Sequence, residues 1–281
     1  MNKFKAFFTF IGFFWLLACG FWAAFALLRG SDASSATAWI GLLINAWALP
    51  IWMLLRYLFP GKISGDLREP GAFAGVLLGL ALVLLADSER GWPVYLAIYN
   101  LFVFLLYLYH LSSVAWPPMP AVDSLFPAVE EMNQGRWRAA EYCREHNLEG
   151  VIVLFLRGSY CADSRNQLRQ LHALQEELLG KNVGLVLWSV QGEHKWPRWL
   201  LVNDSPVNTL QVRQLAQPAL EFFVAASAAP FLLRPWIKDA ARPSAWLVDT
   251  EGNILWRELA ANYRTPVAVA TLRSQLFRLQ E

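Results

Sequence analysis

Cysteine is scarce in this chain. Only Cys19, Cys143 and Cys161 occur in 281 residues, too few and too scattered for a disulfide-stapled secreted fold and without the spacing of a metal site. An odd count leaves at least one free thiol, which suits a reducing compartment. Charge is also sparse and uneven. Residues 1–120 hold seven Lys and Arg against five Asp and Glu, whereas residues 121–281 hold 17 of each. The second half therefore lacks the basic field needed to hold a phosphate backbone, which argues against nucleic acid as a partner.

What the first half has instead is long apolar runs. A helix crossing the hydrocarbon core of a bilayer needs about 20 predominantly apolar residues. Four segments come up for this role: the uncharged run between Lys5 and Arg29, then Ala33 to Leu55, Pro70 to Ala86, and Trp92 to Tyr109. The expectation is a membrane α-helical bundle of four transmembrane helices in residues 1–115, with the lipid bilayer as its partner. The first run exceeds the roughly 7–15 residues of a signal-peptide core, and further spans follow it. With the N-terminus inside, the inner flanks carry Lys3, Lys5, Arg56, Lys62 and Arg68 and the outer loops Arg29 and Arg90. That bias places the chain in an inner or plasma membrane with its second half on the cytoplasmic side. Within the spans the polar groups are Cys19, Asn45 and Asn100, with His110 at the end of the fourth. No Asp, Glu, Lys or Arg lies within any span, so the bundle reads as an anchor held by interhelical hydrogen bonds rather than as a pump.

After Trp116 the stiff PPMP segment ends helical structure and opens a linker and connecting helix over residues 116–149. Ser124 to His146 reads as that helix, with Ser124 as its N-cap. Residues 150–281 then read as an α/β domain. Val151 to Leu156 is a continuous apolar run of the kind found in a strand buried on both faces. The turn RGSYC follows, then a helix from Ala162 to Leu179 and a second buried strand from Val183 to Val190. This order predicts a right-handed crossover and a parallel pair. Farther on, Trp199 to Val202 reads as a strand and Pro218 to Ala229 as a helix. Ser244 to Asp249 and Ile254 to Glu258 flank a TEGN turn and read as a hairpin. Pro266 to Leu279 closes the chain as an amphipathic helix.

The segment VIVLFLRGSYCADSRNQLRQL resembles the strand, turn and helix that carry the active site of thioredoxin-like proteins, above all the peroxiredoxin-like branch with its R-G-x-x-C-x-x-C pattern. RPSAWLVDTEGNILW and the closing NYRTP plus helix resemble the same branch. The resemblance spans about residues 150–279 and implies a thioredoxin-like domain. Two departures stand out. Ser164 occupies the place of the second cysteine, and Gly158 stands where a peroxiredoxin carries a threonine three residues before its reactive cysteine. The resemblance implies Cys161, Arg157 and Ser164 as catalytic residues and Tyr160, Arg242 and Pro243 as substrate-binding ones. Pro243 matches the superfamily's cis-proline; read alone, it is a proline that opens an edge strand.

The chemistry of Cys161 also follows from its place in the chain. A cysteine at a helix start meets unpaired backbone N–H groups and the positive end of the helix dipole, both of which favour thiolate. Arg157 adds to this and Asp163 opposes it. Such a sulfur attacks a disulfide, a glutathionylated thiol or a peroxide. Ser164 cannot close an internal disulfide, so an external low-molecular-weight thiol or Cys143 must resolve the product. Cys143 read by itself is a semi-exposed structural thiol. No cofactor or metal is expected, and His146, His172 and His194 read as solvated surface residues. Trp188, Trp196, Trp199 and Trp236 read either as core and interface filling or as groups that lay the 191–242 segment against the bilayer. The competing role is a non-catalytic module that docks a partner membrane protein; a quinone-linked or transport role would need a cysteine pair or ligands within the membrane, where Cys19 is alone.

Overall fold

The computed structural model describes all residues except 1, 31–32, 61–68, 87–90, 112–115, 133–134, 203–208, 217–223, 226–229, 234, 238–239, 263 and 280–281. The chain divides into two compact units, a helical one up to Ser113 and an α/β one from Val114.

The helical unit contains α1 (Asn2–Leu28), α2 (Ala33–Leu58), α3 (Pro70–Ala86) and α4 (Trp92–Leu106), the last continued by a π-turn over Tyr107–Leu111. Among the described residues, three stretches are long and apolar enough to cross a membrane: Phe4–Leu28, Ser35–Leu58 and Trp92–Leu111. The expected count of four is corrected by α3, which has 17 residues and is about 25 Å long at 1.5 Å per residue. With three candidate spans, the cytoplasmic placement expected from an even count does not follow. Lys62, Arg68 and Arg90, used for that bias, lie outside the described residues.

The expectation of uncharged spans also changes, because α2 runs past Leu55 and takes in Arg56. Its guanidinium pairs with Glu69 at 2.8 Å, both groups buried, and the Trp52 indole N–H donates to the same carboxylate at 2.6 Å. The two asparagines do act between helices: Asn45 donates to the Val76 carbonyl at 2.8 Å, and Trp15 Nε1 donates to Asn100 Oδ1 at 2.9 Å. Close approach of α2 and α3 requires a glycine, since a β-carbon on Gly79 would come within 2.5 Å of the Asn45 nitrogen and the Gly41 carbonyl.

The α/β unit opens with a hairpin, β1 (Val129–Glu131) and β2 (Gly135–Trp137), followed by α5 (Ala139–His146). This corrects the single helix expected over Ser124–His146. Gly135 adopts φ +87°, which a helix interior does not admit, and Arg138 is extended at φ −126°, so helix begins only at Ala139. Next come β3 (Gly150–Leu156), α6 (Ala162–Gly180) and β4 (Val183–Ser189), the parallel β-α-β unit read from the sequence. A short helix, α7 (Arg198–Leu201), replaces the strand expected at Trp199–Val202, and β5 (Val212–Gln214) follows. Of the helix expected at Pro218–Ala229, residues 217–223 and 226–229 lie outside the described residues; Val224–Ala225 forms β6, paired with β7 (Ala240–Ala241). The hairpin β8 (Ser244–Asp249) and β9 (Ile254–Leu259) and the helix α8 (Val269–Gln275) close the chain, with a 3-10 turn over Leu276–Leu279.

Five strands form one sheet in the order β5-β4-β3-β8-β9, in which β5, β4 and β3 are parallel and β8 and β9 antiparallel. Every residue of β3 is buried, as its apolar run requires. Alternate residues face opposite layers. Ile152, Leu154 and Leu156 pack with Leu168, Leu171 and Leu174 of α6 and Leu272 of α8. Val151, Val153 and Phe155 pack with Cys143 of α5, Trp188 and Trp246. Trp188 and Trp196 are buried and belong to the core, which removes them from any surface role.

Candidate active site

Cys161 sits where the sequence places it, at the N-cap of α6, with extended backbone (φ −90°, ψ 119°). Its exposure differs from expectation: only 4% of its surface is accessible. The physical reason is the way the turn folds back. Cys161 N–H donates to the Gly158 carbonyl at 3.0 Å, and the Tyr160 hydroxyl donates to the Arg157 carbonyl at 3.2 Å. Gln191, just past β4, pins the other side, accepting from Ser159 N–H at 2.7 Å and from its hydroxyl at 3.1 Å. Tyr160 packs against Ala240 of β7.

Gly158 explains one departure from the family pattern. Its φ is +149°, and a β-carbon there would come 2.6 Å from the Tyr160 ring and 2.7 Å from Gln191 Oε1. A threonine at this position is incompatible with this turn. Ser164 explains the other: its Oγ accepts the Arg157 backbone N–H at 3.2 Å, so the hydroxyl ties the end of β3 to the first turn of α6.

The sheet register carries the second group of site residues to the same end. β3 and β8 are antiparallel with Phe155 opposite Ser244, so Arg242 and Pro243, just before Ser244, neighbour Leu156 and Arg157. Arg242 is buried and donates through Nε and Nη2 to the Ala260 carbonyl at 3.2 and 2.9 Å, while Ala260 N–H returns a bond to the Pro243 carbonyl at 2.9 Å. Burial pushes the Arg242 guanidinium below its ordinary value. Arg157 is also buried, and its guanidinium lies 5.4 Å from the centre of the Tyr160 ring.

The sequence reading left the charge of Asp163 as an opposing influence. The structure pairs it with Arg264, Nη1 to Oδ2 at 3.2 Å, with both side chains buried. Asn262 shapes the turn that presents Arg264, accepting its N–H at 2.8 Å and that of Thr265 at 2.7 Å. Arg264 and Arg165 are the residues that sequence reasoning missed. Arg165, in the first turn of α6, is buried with its guanidinium 5.3 Å from the Trp199 ring. The signal for Arg264 was present in the NYRTP segment; for Arg165 there was none. His172 also departs from expectation, being buried with Nε2 2.9 Å from the Leu200 carbonyl.

Cys143 belongs to the other end of the sheet. Its thiol faces the Asp249 carbonyl at 3.9 Å, and Asp249 pairs with Gly150 at the start of β3. Burial, helped by the Asp249 charge, pushes it up to about 11. Gly150 and Leu156 are about 20 Å apart at roughly 3.3 Å per residue, whereas a disulfide needs Cα atoms within about 7 Å. The resolving role considered for Cys143 thus fails on distance, and the semi-exposed thiol of the other reading is in fact buried.

No protein-family model matches this sequence, and no curated protein matches it. Among solved structures, the chain is similar to reduced Prx3 of Vibrio vulnificus in complex with hydrogen peroxide, at 12% identity and a TM-score of 0.42, covering 58% of this chain and 100% of that one. It is similar also to peroxiredoxin 6 of Arenicola marina, at 10% identity and a TM-score of 0.42, covering 56% and 72%, and to AhpC of Mycobacterium tuberculosis, at 16% and 0.38, covering 58% and 100%.

Proposed function

We propose that the chain is a membrane-anchored, thioredoxin-like thiol oxidoreductase in which Cys161 is the single nucleophile. The carrying observation is its place at the N-cap of a 19-residue helix, at the sheet end that also holds Arg157 and Arg242. The 4% exposure of the residue disfavours a folded protein's disulfide as substrate and favours a small hydroperoxide.

In the reaction, the Cys161 sulfur bonds the outer peroxide oxygen and the O–O bond breaks. The leaving alkoxide or hydroxide takes a proton, and sulfur is oxidised to sulfenic acid. An external thiol such as glutathione then condenses with it, releasing water and leaving a mixed disulfide. A second thiol attacks that disulfide, returning the Cys161 thiol and carrying away the oxidised pair. Cys143 is too distant to take part. The α1–α4 region supplies attachment to the membrane.

The low exposure also favours the second reading, a docking module with an inert thiol. Thiol-dependent peroxide turnover by the full chain, compared with Cys161→Ser, separates the two. Loss of turnover in the variant supports the oxidoreductase; no turnover by either protein leaves the docking module.

A further inference from the structure

We propose that the thiol end of the α/β unit is a lipid-contacting face that lies on an anionic phospholipid headgroup layer through Trp116, Trp199 and Trp236. This rests on the reading of α1–α4 as a membrane anchor. The α/β unit has eight tryptophans. Trp137, Trp188, Trp196 and Trp246 are buried and Trp256 is partly so. The other three are 63%, 49% and 78% exposed for Trp116, Trp199 and Trp236.

These three are not scattered. Trp116 lies 5.4 Å from the Arg242 guanidinium, beside Pro243. Trp199 lies 5.3 Å from the guanidinium of Arg165, whose backbone N–H bonds the Cys161 carbonyl at 3.1 Å. Trp236 follows the short 3-10 turn Phe231–Leu233, four residues ahead of Ala240, against which Tyr160 packs. Trp116 and Trp199 are therefore each tied through an arginine to an element of the Cys161 site. Leu232, at 64% exposure, extends the apolar rim beside Trp236.

An exposed apolar rim marks an interaction surface, and its composition names the partner. Indoles concentrate at membrane–water interfaces, where one end of the ring is apolar and the other wet. Lys195 and Arg198 flank the Trp199 turn and are exposed. In the sequence Arg234 and Lys238 flank Trp236, and the acids of these two segments are Glu193 and Asp239. Among the described residues, exposed Lys195 and Arg198 against Glu193 leave positive charge beside the Trp199 indole, which complements a negative lipid surface.

The test uses the full chain in nanodiscs of mixed phosphatidylcholine and phosphatidylserine carrying a photoactivatable diazirine near the headgroup, with labelled peptides identified by mass spectrometry. Labelling of segments 195–202 and 230–237, reduced severalfold in the Trp199→Ser, Trp236→Ser double variant and in discs without phosphatidylserine, supports the proposal. Labelling confined to α1–α4 while the chain stays in the disc overturns it and leaves the anchor intact. Rim labelling that ignores the two substitutions or the loss of anionic lipid overturns it as well. A chain recovered outside the discs removes the anchor reading and this face together.

Discussion

Replacing Arg264 by Met tests how the charge beside Cys161 is managed. Asp163 and Arg264 meet at 3.2 Å with side-chain exposures of 2% and 3%. Removing one partner of such a pair strands the other in a low-dielectric site, which costs about 3–5 kcal/mol. Replacing both with apolar groups removes the stranded charge, so Asp163→Leu with Arg264→Met recovers most of that loss. The expected coupling in the double-mutant cycle is about 2 kcal/mol or more, read from denaturant unfolding of the α/β unit by tryptophan fluorescence in the reconstituted chain. A second readout follows from position. Asp163 lies two residues after Cys161, so its uncompensated charge opposes the negative charge that builds on an attacking sulfur, and alkylation of Cys161 slows in Arg264→Met. A loss under about 1 kcal/mol, within the range of an exposed pair, together with unchanged alkylation, refutes the reasoning.

Gly158→Ala places a methyl 2.6 Å from the Tyr160 ring at φ +149°, so it costs about 1–3 kcal/mol of strain and reduces the alkylation rate of Cys161; calorimetry and timed labelling check both. Cys143 carries a thiol raised by burial from 9.0 to about 11. The folded state therefore holds that proton more tightly than the unfolded one. Its contribution is fully present below pH 9 and is lost as pH rises towards 11, by about 2–3 kcal/mol at 1.36 kcal/mol per unit. Cys143→Ala flattens that alkaline loss in an unfolding series, and a slope unchanged by the substitution contradicts the placement.

The elements best marked in the sequence were those with a continuous apolar pattern and clear punctuation. β3, α6 and β4 follow from two buried runs, the Gly158 turn and a helix face of Leu168, Leu171 and Leu174. The β8–β9 hairpin follows from its TEGN turn, in which Asp249 Oδ1 accepts from Glu251 and Asn253 N–H groups. Where spacing was ambiguous the reading failed. Between Ser124 and His146, apolar residues at near-helical intervals concealed a hairpin whose decisive feature is the backbone of Gly135. α7 has four residues, too few to show a period, and it forms because Pro197 at its N-cap sets the entry into the turn.

In the site, the elements around Cys161 were legible but its burial was not. Gln191 and Ala240, which hold Ser159 and Tyr160 of the turn, reach it only through the tertiary fold. The Asp163–Arg264 pair spans 101 residues of chain and leaves no local pattern. The 17-residue α3 shows the same limit of composition: its apolar run is unbroken, yet it is short against a span of about 20 residues.

The most direct test of Cys161 as a peroxide-reactive nucleophile is intact-mass analysis of the full chain after one equivalent of hydroperoxide, followed by peptide mapping. The expected result is a single added oxygen on Cys161, removed by glutathione through a mixed disulfide, with Cys143 unmodified. An unmodified Cys161 under conditions that oxidise free glutathione, or a Cys143–Cys161 disulfide in the folded chain, contradicts the account.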